Sequence, residues 1–253
     1  DLEKVKPEEE AKRMAAACEK KQAVVSSLKR ETKTVNPPKL YDLTTLQREA
    51  NRYYGFTAQQ TLDLVQTLYE KKLLTYPRTD SQFITDDMED TARQVISIVC
   101  RQFPLFSGVL VTPDIARVTD NSNVTDHHAI LPTVQLEKQD VSALPQSEQK
   151  ILNLVGMRLL CATGEKHTYA ETQISLSCES YTFKTKGKTV VQNGWKAIEE
   201  LFKASLKTKE KDDPMKSLPE VHEGDVLDGV SASVTEHFTT PPKQYTEDTL
   251  LSA

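Results

Sequence analysis

The sequence predicts an α+β protein in which a block of helices is inserted into a β-domain built from both ends of the chain. Three observations carry that prediction. Apolar residues recur every three or four positions from about residue 44 to residue 161, the period of a helix with one buried face. From Ala170 onward the period falls to two, that of a half-buried strand. A β-branched, charge-alternating run over Gln22–Val35 then stops at Asn36-Pro37-Pro38, where proline cannot continue a ladder. The expected division is residues 1–36 as the first part of the β-domain, 37–163 as a helical domain carrying Tyr76, and 164–253 as the second part of the β-domain.

The elements follow in order. Glu8–Lys20 reads as a helix, with Ala11, Met14, Ala15 and Cys18 on one side. Thr44 followed by Gln47 has the spacing of a capping box. The helix behind it places Leu46, Ala50, Tyr53 and Tyr54 on one face and ends at Gly55. Thr57 and Gln60 open the next helix, with Leu62, Val65, Leu68 and Tyr69 inward. The short glycine-containing turn between the two gives the pair a helix-turn-helix look. Thr85 starts a further helix (Met88, Ala92, Val95, Val99) that ends at Phe103-Pro104. Ser147–Cys161 is helical, with Ile151, Leu154, Val155 and Leu159 inward. Thr172–Ser177 and Tyr181–Thr185 are strands, with a turn expected at Lys186-Gly187-Lys188. Trp195–Phe202 is a short helix, Ala204–Ser217 a charged linker, and Asp225–Phe238 a last alternating strand.

Composition limits the function classes. The 253 residues carry a net charge of −5, and residues 36–133 hold nine Lys/Arg against twelve Asp/Glu, which is not the basic face usual for nucleic-acid partners. Four scattered cysteines without a CxxC pair argue against zinc and a disulfide framework and favour a reducing cytosol. No apolar run approaches the ~20 residues of a membrane helix. With eight glycines and no GxGxxG or GxxxxGK, a mononucleotide or other small-molecule substrate site is not expected.

One stretch concentrates reactive groups: Leu73-Leu74-Thr75-Tyr76-Pro77-Arg78-Thr79-Asp80-Ser81. A phenol of pKa ~10 attacks phosphorus only when a cation stabilises the developing charge. In an extended segment residues two apart share a side, so Tyr76 and Arg78 would face one phosphate, with Pro77 stiffening the pair. The guanidinium fork matches phosphate oxygens. Thr79 and Ser81 offer hydroxyl donors, and Asp80 could orient Arg78. The competing reading is a tyrosine buried at a helix end. Asp126-His127-His128 lies 51 residues beyond Tyr76. It lacks Cys or carboxylate partners at zinc spacing, and phosphate contact by His127 requires the fold to bring it to Tyr76.

Leu74-Thr75-Tyr76-Pro77-Arg78-Thr79-Asp80-Ser81 resembles the active-site tyrosine motif of type IA DNA topoisomerases. Asp42–Ala50 resembles the helix preceding it in that family, and Asp126–Thr133 resembles its histidine segment. Gly194-Trp195 and His237–Glu247 resemble its downstream signatures. The likeness covers nearly the whole chain, most weakly before Val24. Tyr-Pro-Arg and the His pair look closest to the bacterial topoisomerase III branch.

The resemblance implies a helical domain set in a β-arch that forms part of a ring, and an isomerase that cuts one DNA strand, passes another and reseals. It makes Tyr76 the nucleophile of a 5′-phosphotyrosine and Arg78 the group that stabilises the scissile phosphate. His127 becomes a DNA phosphate contact; Thr79 and Gln47 are further candidate DNA contacts, and His128 is assigned no role. It implies Mg2+, held by a Toprim domain that these 253 residues do not contain. The chain would then be a central gate fragment, inactive alone, monomeric and cytoplasmic, acting on single-stranded DNA. The alternative is a non-catalytic helix-turn-helix DNA-binding module.

Overall fold

The structure is a computed structural model that describes residues 8–109, 111–206 and 218–252. It is α+β, with one four-stranded sheet and seven α-helices among the described residues. The chain forms two compact units. The described residues of the first are 8–34, 168–191 and 218–242. Those of the second are 35–109, 111–167, 192–206 and 243–252.

The first unit holds helix α1 (Glu8–Cys18) and the sheet, in the order β3-β2-β1-β4. Strand β1 runs over Ala23–Val35, β2 over His167–Cys178, β3 over Tyr181–Gln192 and β4 over Val226–Leu227. Two expectations are corrected here. The β2–β3 hairpin closes at Glu179-Ser180, with Glu179 at φ +53°, and not at Lys186–Lys188. Gly187 lies buried in the middle of β3, where the period-two pattern continues through it. The alternation over Asp225–Phe238 yields only the two residues of β4, antiparallel to β1 at Ala23↔Leu227 and Val24↔Val226. The chain then turns at Gly229 (φ +61°), and Val230 returns to exchange backbone bonds with Lys20 and Lys21. The charged segment expected over 204–217 lies outside the described residues from 207 on. Cys18, Ala23 and Cys178 form a small buried cluster.

The second unit contains α2 (Leu43–Tyr54), α3 (Ala58–Glu70), α4 (Glu89–Gln102), α5 (Gln146–Ala162), α6 (Lys196–Ser205) and α7 (Glu247–Leu250). Of the expected inward residues, Leu46, Ala50, Val65, Leu68, Ala92, Val95, Val99, Ile151, Leu154, Val155 and Leu159 lie in one core, whereas Leu62 is half-buried and outside it. Residues 192–206 and 243–252, assigned from sequence to the β-domain, pack in this unit because Ile198 and Phe202 fill its core and Asp248 ion-pairs with Arg48 and Arg52.

Caps follow local chemistry. Thr57 and Gln60 form a complete capping box at α3. The start of α2 differs from expectation: Asp42 is its N-cap, its carboxylate accepting from Thr45 N at 2.7 Å. Gly55 ends α2 in the left-handed conformation at φ +69°. A buried polar triad sits beneath α2. Tyr41 Oη donates to Glu49, Arg158 donates to the other Glu49 oxygen, and the guanidinium lies 4.3 Å over the Tyr41 ring. Burial pushes the Tyr41 phenol far above its ordinary value.

Candidate active site

Tyr76 stands on an irregular segment that leaves α3 and is laced to residues 127–133. The end of α3 is anchored first, by Lys71 pairing with the buried Glu148 at 2.7 Å. Thr133 N then donates to Leu73 O at 3.0 Å and Thr75 N to Leu131 O at 2.9 Å. The Thr75 hydroxyl accepts from Leu131 N at 2.9 Å and donates to Ala129 O at 3.1 Å. On the next stretch Ala129 N donates to Phe83 O, and Ile130 N to Tyr41 O. Each bond satisfies a polar group that a loop would otherwise leave exposed or orphaned. Together they run the histidine segment alongside the tyrosine segment.

The result brings two of the predicted residues into contact. The Tyr76 and His127 rings lie with centroids 4.2 Å apart at 35°. On its other side Tyr76 meets the edge of Tyr69 at 5.5 Å and 83°. Tyr69 was expected to point inward, but it is exposed and spends its ring on Tyr76. Nothing in the helical periodicity signals that contact, since the two rings come from a helix and from the loop beyond it. Tyr76 is half-buried, and among the described residues its hydroxyl has no hydrogen-bond partner.

The neighbouring side chains depart from the extended arrangement expected of them. The chain bends at Pro77, and Thr79 N bonds to Pro77 O at 3.1 Å. Arg78 is exposed and donates to Gln66 on α3 at 3.3 Å, so Gln66, not Asp80, orients it. Thr79 is buried, and its hydroxyl donates to His127 O at 3.1 Å while accepting from Ser81 N. It holds the histidine's backbone in place. Ser81 is buried and donates to Asn123 O at 2.7 Å, which removes it from the set of phosphate donors. His128 Nδ1 donates to its neighbour Ala129 O at 2.8 Å. Gln47 Nε2 donates to Ala58 O at 3.0 Å, bracing the α2–α3 corner.

A groove of about 570 Å³ opens here, lined by the N-terminus of α2 (Asp42, Leu43, Thr44), by Arg78, Thr79 and Asp80, and by Thr125, Asp126 and His127. Tyr76 does not line it but stacks on His127, which does. Asp42, Asp80 and Asp126 offset Arg78, so the groove has no general attraction for a polyanion and any phosphate contact must be made by the cation directly. The Mg2+ implied by the resemblance finds no ligand set here: no three His, Cys, Asp or Glu side chains gather to hold a metal among the described residues. Among those residues, too, no helix is long and apolar enough to cross a membrane.

Fold and site set a phenol with no hydrogen-bond partner among the described residues between Tyr69 and His127, with an exposed Arg78 two residues on, held by Gln66. A family model described as DNA topoisomerase matches residues 1–253, and the chain belongs to that family, the type IA topoisomerases. It is 36% identical over 255 residues to DNA topoisomerase 3 of Bacillus licheniformis, covering 95% of this chain and 33% of that protein. It is 37% identical over 238 residues to DNA topoisomerase 3 of Bacillus subtilis, covering 92% and 32%. The full-length topoisomerase I of Thermotoga maritima matches in structure with a TM-score of 0.72 at 25% identity, over 100% of this chain and 40% of that one. The chain thus spans about a third of the length of the curated relatives it matches.

Proposed function

We propose that the chain is the gate portion of a type IA topoisomerase, cutting one DNA strand through a 5′-phosphotyrosine at Tyr76, letting another strand pass and resealing the cut. The observation that carries this reading is the 4.2 Å contact between Tyr76 and His127 at the rim of a groove lined by Arg78. The phenolic oxygen attacks a backbone phosphorus. The bond from phosphorus to the 3′ oxygen breaks, the phenolic proton is released, and the leaving oxygen takes up a proton to become a 3′-hydroxyl. The phosphotyrosine keeps the energy of the broken ester, so the 3′-hydroxyl reverses the step without an added energy source. Arg78 stabilises charge on the non-bridging oxygens, where a guanidinium acts most strongly.

His127 donates to a phosphate of the same strand, and Thr79 fixes its backbone. Gln47, with Nε2 committed to Ala58, offers Oε1 to the strand. The substrate is single-stranded, and the protein is monomeric. Mg2+ is assigned to acidic residues of the parent protein outside these 253.

Tyr76→Phe tests the reading in the full-length parent. It removes one oxygen and leaves both ring contacts in place, so folding is preserved. Relaxation of negatively supercoiled plasmid is expected to vanish while single-strand binding persists. A Phe variant that still relaxes plasmid overturns the assignment. The 253-residue chain alone is expected to bind single strands weakly, lose them as salt rises, and leave them uncut.

A further inference from the structure

The two faces of the sheet in the first unit are lined differently. Arg30, Thr172, Gly187 and Thr189 line a cavity of about 350 Å³ that Leu218–Val221 closes over. The residues interleaved with these point the other way, because alternate strand residues face opposite sides. On that opposite face Lys33 of β1 pairs with Glu171 of β2 at 2.6 Å, and Lys188 of β3 lies 5.0 Å over the ring of Tyr169. The Glu171 carboxyl is held below its ordinary range by the Lys33 hydrogen bond first and the Gln173 hydrogen bond next, with a smaller pull from Lys186.

Lys184, Lys186 and Lys188 therefore form a row at every second position of β3. All three are exposed, and among the described residues none has an ion-pair partner. Glu171 is already satisfied by Lys33. Like charges spaced in this way repel one another, and the chain as a whole is acidic at −5. A row of unpaired cations in such a chain calls for a polyanion.

We infer that this lysine row is a second contact for the DNA backbone, separate from the Tyr76 groove. Strand residues two apart are ~6.7 Å apart, so the three lysines span ~13 Å, the axial rise of about four phosphates on one strand of a duplex. The row binds sugar–phosphate without reading bases. The inference rests on DNA being the substrate, but not on Tyr76 being the nucleophile. β3 is also the outer strand of the sheet, where lysines can act simply to block edge-to-edge pairing.

The test is fluorescence anisotropy of the 253-residue chain with a labelled 30-nucleotide single strand, and separately with a 30-base-pair duplex, from 25 to 200 mM salt. The K184Q/K186Q/K188Q variant is expected to weaken binding at low salt by tenfold or more. It should flatten the slope of log K against log salt by about 2 for the single strand and about 2.7 for the duplex. The K184R/K186R/K188R variant is expected to restore the wild-type slope, which a folding defect in the glutamine variant could not explain away. Unchanged affinity and slope with loss of solubility would make the row an edge guard and end the proposal. Loss of binding to an acidic peptide but not to DNA would end it as well. The assay reads binding and not cleavage, so the lysine row and the nucleophile fail independently.

Discussion

Arg158→Met offers a direct test of how the groove is supported. Arg158 holds Glu49, covers the Tyr41 ring at 4.3 Å and reaches Lys39 O at 3.3 Å. The side chains of Arg158 and Glu49 are 13% and 18% exposed, so the pair is largely removed from water. Methionine keeps the apolar stem but leaves the Glu49 carboxylate buried with only the Tyr41 hydroxyl. Breaking a buried pair on one side costs about 3–5 kcal/mol, most of it from the stranded charge. The pair's partial exposure puts the expectation at the lower end, about 3 kcal/mol, or roughly 6–12 °C in Tm. Trp195, the only tryptophan, belongs to the same unit and donates from Nε1 to Val35 O, so its emission during urea unfolding reports on this unit. The double variant Arg158→Met/Glu49→Gln removes the stranded charge and should recover all but about 1 kcal/mol. A single variant within about 1 kcal/mol of wild type, or a double variant no better than the single, would refute the account. Because Tyr41 O receives the Ile130 amide three residues from His127, the single variant should also weaken single-strand binding by the chain.

Two further outcomes are expected. A Cβ on Gly194 would overlap the Lys166 carbonyl oxygen and stand 2.5 Å from that of Glu165, at a φ of +56°. Gly194→Ala should therefore cost about 3 kcal/mol or more in urea denaturation followed by circular dichroism, and an unchanged midpoint would contradict the close approach. Burial, and then the neighbouring Cys178, push the Cys18 thiol from 9.0 up to about 11. The unfolded chain ionises first, so the stabilisation is complete below pH ~9 and is lost as pH rises towards 11. Under reducing conditions the urea midpoint of the β-containing unit should fall across that window, and Cys18→Ala should flatten the fall. Equal slopes in the two proteins would remove Cys18 as the cause.

The helices were the most legible part of the sequence. The apolar period of 3.6 placed α2 to α5 and their buried faces, and the Thr57–Gln60 box was readable because capping is a local matter. The β-containing unit was less so. Gly187 looks like a turn in isolation, yet it is a strand residue whose missing side chain suits a covered face, and coverage depends on residues some thirty positions away. Asp42 takes the cap from Thr44 because both are competent and tertiary context decides: Leu43 N is already occupied by Thr79 O. At the candidate site the residue types pointed to Tyr76, Arg78 and His127. Only the fold reveals that Thr79 and Ser81 are committed to carbonyls, that Gln66 holds Arg78, and that Tyr69 flanks the phenol. Each of those pairings joins segments whose approach no local pattern encodes.

The bonds that lace Leu73 and Thr75 to residues 129–133 bear on the proposed covalent step, in which a strand would be joined to Tyr76. A tethered polymer tugs on its anchor. Here the anchor is no helix that could slide or unwind one turn at a time, but a segment stitched sideways by several short links that must yield together. In the proposed reaction, tension along the broken strand would be shared across these links and passed to the core beneath them, which would keep the cut end close to its mate.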